Sequence, residues 1–293
     1  MEITGKKHGM GWIPDYPDIR DYTERTEEVR LVLGTPKPLR AKGPPGSVDL
    51  REWCSPIEDQ GGLGSCTANA GVGIMEYYER KSFGRHVEAS RLFLYKVTRN
   101  LRKMKGDTGA YLRTTMGAMV LFGAPPEDYW PYTDDEKKFD QEPPAFCYAF
   151  AQNYQTIKYF RHDPPGSKAE EVLKKLKTYL SSGHPAMFGF TVYNSISQSA
   201  KTGQIPYPTP GEKISGGHAI DAVGYNDAMV IKNTNPGGVE TKGAILIRNS
   251  WGTEWGEQGY GWLPYDYVLK GLAIDWWSLI KNEWVDTGEF GVQ

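Results

Sequence analysis

The chain has 293 residues, room for about two domains at roughly 150 residues each and for a sizeable core. Its 34 basic and 36 acidic side chains leave a net charge of −2, so no cationic surface for nucleic acid is expected. Apolar runs fall well short of the ~20 residues that a membrane helix needs, and the first residues lack the charged-then-apolar pattern of a secretory signal.

In chain order, residues 1–46 come first and differ from the rest. They carry Pro14, Pro17, Pro36, Pro38, Pro44 and Pro45, which predicts a mostly extended arm ending near Gly46. A helix is predicted from Ser65 to Lys81, with Ser65 as N-cap after Gly61, Gly62 and Gly64. Amphipathic stretches follow at 90–103 and 111–122, then a proline-rich connector over 125–144. The second half offers one helix, 167–181, with Val172, Leu173, Leu176 and Leu180 on its apolar stripe. Four runs then suit strands: Ala186–Val192, His218–Tyr225, Ala244–Arg248 and Leu272–Ile280. This order predicts an α+β protein: an arm (1–46), a helical lobe (47–146) and a mainly β lobe (147–293).

Three cysteines, Cys54, Cys66 and Cys147, are too few for a disulfide scaffold. No CxxC, HExxH or zinc-finger spacing occurs, so neither a metal nor a cofactor is expected. Cys66 stands out, because a thiol at a helix start feels the positive end of the helix dipole, which favours the reactive thiolate. Of five histidines, His218 opens the strand Gly-Gly-His-Ala-Ile-Asp and has space beside it for another backbone. Asp221 lies three residues further, on the opposite strand face, and is rejected as its orienter. Asn249 is the better candidate, with Trp251 beside it to shield the contact from water. Gln60, six residues before Cys66, can join the Cys66 N–H as an oxyanion donor. There is no G-x-S-x-G elbow or P-loop, and Gly9-Met-Gly11 is followed by Pro14 where a dinucleotide fingerprint needs glycine.

Gln60-Gly-Gly-Leu-Gly-Ser-Cys66, Gly-Gly-His218-Ala and Asn249-Ser-Trp-Gly together resemble the papain family of cysteine peptidases. His218 lies 152 residues after Cys66 and Asn249 another 31 on, the order and spacing such enzymes use. The likeness runs over about 47–280 and includes Val48-Asp-Leu-Arg51 and Trp130-Pro-Tyr132. It implies a two-lobed papain-like fold with the cleft between the lobes, and an endopeptidase acting through an acyl-enzyme: Cys66 as nucleophile, His218 as its imidazolium partner, Asn249 as orienter, Gln60 in the oxyanion hole. An exopeptidase, a transpeptidase or ligase, or a catalytically silent peptide-binding relative would keep the same residues. Leu63 stands where many members have a disulfide cysteine, and Thr67 where they have an aromatic residue.

By the same resemblance, substrate contacts fall on Gly109, Ala110, Leu112, Gly217, Ala219 and Trp251. The base of the dominant specificity pocket is either Ile274 or Asp275. Partners are then a peptide or protein substrate and the chain's own arm in cis, in a monomer. Family zymogens block their clefts with a segment running opposite to substrate. The arm's residues 9–24 suit that role, with Trp12, Tyr16 and Tyr22 as anchors and Pro14 and Pro17 holding the chain extended.

Overall fold

The computed structural model describes residues 2–3, 5–33 and 43–284, without the side chains of 32, 33, 155–157 and 281–284. The arm begins with a small antiparallel pair, β1 (Glu2–Ile3) and β2 (Lys6–Lys7), followed by β3 (Trp12–Ile13). It is not extended throughout. The helix α1 (Glu27–Leu33) forms where the prolines pause and two glutamates occupy the first turn, a favourable end of the helix dipole. Pro36 and Pro38 lie outside the described residues.

Strand β4 (Ser47–Asp49) leads into the helical half: α2 (Cys66–Phe83), α3 (Arg91–Leu101), β5 (Ala110–Tyr111), α4 (Leu112–Leu121) and α5 (Ala145–Ala151). Ser90 caps α3 by accepting the Phe93 N–H at 3.1 Å. Ser65 stands at the N-cap of α2 but does not cap it. Its hydroxyl instead meets the Tyr132 hydroxyl at 2.7 Å and accepts from the Asn69 amide at 3.1 Å, tying the helix start to the connector. Helix α2 is buried on nearly all sides and ends at Gly84, whose φ of +72° reverses the chain.

The rest is a sheet with helices on it: β6 (Tyr154–Arg161), α6 (Ala169–Ser181), β7 (Ala186–Tyr193), β8 (Ile214–Lys232), β9 (Glu240–Arg248), β10 (Tyr260–Pro264), α7 (Tyr265–Leu269) and β11 (Ala273–Trp284). The order is β10-β9-β8-β7-β11-β6, all antiparallel, with β4 also on β8. Position 147 falls inside α5, and β4 joins the sheet from the other side of that point. On α6, Val172, Leu176 and Leu180 are buried while Leu173 is half-buried at the stripe's edge. One core cluster gathers α2, α3 and α4 and includes Cys66, Leu112, Ala219 and Trp12; a second lies behind the sheet around Trp251, Trp255 and Trp276. The arm's Trp12 thus belongs to the core of the helical half.

Candidate active site

Cys66 is the first residue of α2, fully buried, and β8 passes beside it so that the Ala219 N–H faces its sulfur. His218, next to Ala219, is 2.8 Å through Nε2 from Asn249 Oδ1. The Ser250 N–H donates to that same Asn249 oxygen at 2.8 Å. The oxygen is therefore an acceptor, His218 Nε2 carries the proton, and Nδ1 remains as the basic nitrogen. Among the described residues Nδ1 has no hydrogen-bond partner. Trp251 lies flat against His218, ring centroids 4.6 Å apart at 21°. Asp221 is turned to the other face of β8, where it sits 3.9 Å from Arg248 under Gly73 of α2. Gln60 is fixed through Oε1, which accepts the Ser250 hydroxyl at 2.6 Å, and through Nε2, which donates to Leu63 O at 2.8 Å. Cys54 and Cys147 are buried and unpaired.

The arm runs through this arrangement. The Gly9 N–H donates to Gly61 O at 2.9 Å, and Gly9 O accepts from Gln60 Nε2 at 3.1 Å. The Gly11 N–H faces the Cys66 sulfur, while Gly11 O accepts the Ala110 N–H at 2.7 Å. Strand β3 then lies parallel to β5. The approach is so close that only glycine fits: a Cβ at Gly9 would fall 1.9 Å from Leu63 O, one at Gly11 1.8 Å from Gly64 O. Gly109, at φ +73°, is equally constrained, since a Cβ there would meet Gly11 O at 2.2 Å.

Trp12 fills a pocket whose walls are made flat by two glycines. A Cβ would fall 1.9 Å from its ring at Gly189 and 2.9 Å from it at Gly217. Leu112 and Ala219 pack in the same cluster, with Ile274 half-buried beside them. At the pocket's end Trp12 Nε1 donates to Asp275 Oδ2 at 3.2 Å. Asp275 is buried at φ +65°, with Trp277 Nε1 at 2.7 Å and Arg161 at 3.4 Å. Of the two alternatives for the base, the one against the pocket's occupant is Asp275. Burial and the neighbouring Asp15 push its carboxyl up to about 7.

The arm changes the electrostatics. Burial pushes the Cys66 thiol up to about 11, despite the N–H groups of Ala219, Gly11 and Thr67 directed at it. Burial also pulls His218 down to about 4, against the hydrogen bond it donates to Asn249. The helix start alone favours a thiolate; burial outweighs it, and the thiol and the imidazole are both pushed toward their neutral forms.

Sequence reasoning proposed the cleft residues, put residues 9–24 through or beside the cleft and named Trp12 as an anchor, but gave Gly9 and Gly11 no part of their own; their signal was a Gly-x-Gly directly before that anchor. His8, assigned merely to the arm, stacks on the far face of Trp251 at 5.2 Å and 28°. Tyr16 and Tyr22 are not anchors: they are 90% and 42% exposed. Among the described residues no cluster of His, Cys, Asp or Glu is arranged to hold a metal ion, and no helix is long and apolar enough to cross a membrane.

The family model for papain family cysteine proteases matches residues 44–271. An uncharacterized peptidase C1-like protein of Acanthamoeba polyphaga mimivirus is 34% identical over 95% of this chain and 89% of its own length. A cathepsin B-like protein of Giardia intestinalis is 29% identical over 74% of this chain and 68% of its own. Among solved structures, xylellain, a cysteine protease from Xylella fastidiosa, is 34% identical, covers 94% of this chain and 96% of its own, and superposes with a TM-score of 0.71.

Proposed function

The chain belongs to the papain family of cysteine proteases and is a cysteine peptidase, a hydrolase of peptide or protein substrates; from that premise we propose that it is an endopeptidase held inactive by its own arm. Cys66 attacks the scissile carbonyl. His218 takes the thiol proton on Nδ1 and returns it to the leaving amine, and water then hydrolyses the acyl-enzyme. Asn249 keeps His218 in the tautomer this requires, beneath Trp251, and Gln60 Nε2 with the Cys66 N–H holds the developing oxyanion.

One observation carries the inhibition. The Gly9 carbonyl already takes the Gln60 Nε2 donor, and the Gly11 N–H is among the N–H groups directed at the Cys66 sulfur, beside that of Ala219. Attack needs the oxygen and carbon of one carbonyl at those two places at once, so the arm fills the site without presenting a bond to cut. Its attachment gives it an effective concentration of order millimolar, enough for a modest binder to exclude dilute substrate. The occupied pocket supports a specificity for large apolar or aromatic side chains two residues before the scissile bond. An N–H donor or cation is also accommodated at Asp275.

The test compares the full chain with residues 47–293 on one short fluorogenic peptide, both first checked for folding by circular dichroism. The shorter form turns over much faster, and a peptide of residues 1–46 added in trans slows it again. Cys66→Ala is inactive in both, whereas Cys54→Ala and Cys147→Ala retain most activity. Equal rates for the two forms make the arm a structural strap, and turnover by Cys66→Ala removes the nucleophile.

A further inference from the structure

Arg113 is the second residue of α4, and each hydrogen bond it donates from its backbone N–H and its guanidinium, among the described residues, ends on the arm. The N–H reaches Asp15 Oδ2 at 2.8 Å and Nη1 reaches Asp15 Oδ1 at 3.1 Å. Nε and Nη2 each meet an oxygen of Asp21 at 2.7 Å, and Nη2 also meets Tyr16 O at 2.7 Å. Asp15 is only 7% exposed, so its carboxylate is gripped out of water by one guanidinium nitrogen and the helix-start N–H, while the Nε/Nη2 fork takes Asp21. Next to it lies a cavity of about 530 Å³. Its body wall is Arg113, Val120, Lys158 and Tyr159, two cations and no carboxylate; the arm supplies Asp18, Arg20, Asp21 and Tyr22. Asp275, the nearby acid of the body, is already engaged by Trp277 and Arg161.

Displacing the arm strips Arg113 of these acceptors and leaves a positive wall beside the substrate path. We propose that Arg113, with its own backbone N–H and with Lys158 behind it, is a carboxylate-binding subsite that takes an acidic side chain of the substrate upstream of the residue in the Asp275 pocket. Asp15 holds that place in the resting chain. This rests on the reading above that the arm leaves the cleft of the working enzyme. Asp15 follows Trp12 by three residues, about 10 Å of extended chain at roughly 3.3 Å per residue. The acidic residue therefore stands two or three positions upstream of the pocket residue. Preferred substrates pair an aromatic or large apolar side chain with a Glu or Asp before it.

The test uses the full chain with Gly11→Ala, Asp15→Asn and Asp21→Asn, which disfavour the docked arm and remove its competing carboxylates. Fluorogenic peptides differ only in carrying Glu, Gln or Lys two or three residues before a pocket Trp or Leu, and KM and kcat are read separately. The Glu peptide has a KM about tenfold below that of Gln and further below that of Lys, the size expected of a charged bidentate contact. The advantage shrinks in 0.5 M NaCl. Adding Arg113→Gln levels Glu and Gln; Arg113→Lys, which keeps the charge without the fork, retains part of the difference. Equal KM for Glu and Gln in an active chain, or a preference that survives Arg113→Gln, overturns the subsite. If the triple variant is no faster than the unsubstituted chain on the Gln peptide, the arm reading fails and takes the subsite with it.

Discussion

The two ends of the docked arm hold on by different physics. Over residues 9–12 the grip is steric and apolar. Two glycines slide against the Gly61–Gly64 backbone, main-chain hydrogen bonds close on either side, and Trp12 fills a dry slot. Over residues 15–21 the grip is ionic and partly wet, with Arg113 still 27% exposed between Asp15 and Asp21. On the proposed reading, the first segment blocks chemistry because it fills the cleft, and the second sets how long the arm stays. A device built this way separates blocking from release, and release is the part that salt and competing charge can reach.

The largest effect comes from attacking the steric end. Gly11→Ala in the full chain puts a methyl into the Gly64 carbonyl, an overlap of backbone on backbone that no rotamer relieves. At about 1–3 kcal/mol of overpacking it raises basal turnover of a short peptide roughly tenfold to a hundredfold. An unchanged rate means the arm does not govern access.

The next test reads the electrostatics of the same end. Alkylation of Cys66 by iodoacetamide, followed against pH by mass spectrometry, has its midpoint near 11 in the full chain because the buried thiolate is unfavourable. In Gly11→Ala, water and the helix dipole reach the sulfur, and the midpoint falls by about two units or more. The sign follows from burial being the largest cause: water reaching the sulfur lowers the thiol pKa by more than loss of the Gly11 N–H raises it. A midpoint that stays put removes desolvation by the arm as its cause.

The smallest effect belongs to the ionic end. Asp15→Asn loses one charged contact of about 1–2 kcal/mol and raises basal turnover several-fold, and salt produces the same gain in the unsubstituted chain. Tyr16→Ala changes neither, since its ring is in solvent. If Asp15→Asn releases the arm as fully as Gly11→Ala, the two ends are not separate devices.

The amino-acid sequence by itself determined the family and the two-lobed α+β plan, and it put forward the four cleft residues. These are written in short motifs: Gln60 and Cys66 share one turn-to-helix segment, and Asn249 follows directly on a strand. Period-2 alternation alone placed Asp221 on the wrong face for His218, and its partner in the structure is Arg248. Helices α3, α4 and α6 were legible from their apolar stripes. The short α5 and α7, and β6 and β10, were not, since their apolar residues have no period until a neighbouring strand supplies one. What only tertiary structure decided is what meets across the chain. The Asp275 pocket could not be told from one based on Ile274 until β11 took its register, because a shift of one residue exchanges the two faces. The Ser65 hydroxyl, expected to cap α2, pairs instead with the Tyr132 hydroxyl, 67 residues away. The thiolate expected at a helix start is disfavoured because burial takes water from the Cys66 sulfur, against the N–H groups of Ala219, Gly11 and Thr67 that the fold directs at it. Local motifs say which groups can react; the dielectric around them is set by whatever else the fold brings there, and no window of neighbouring residues contains it.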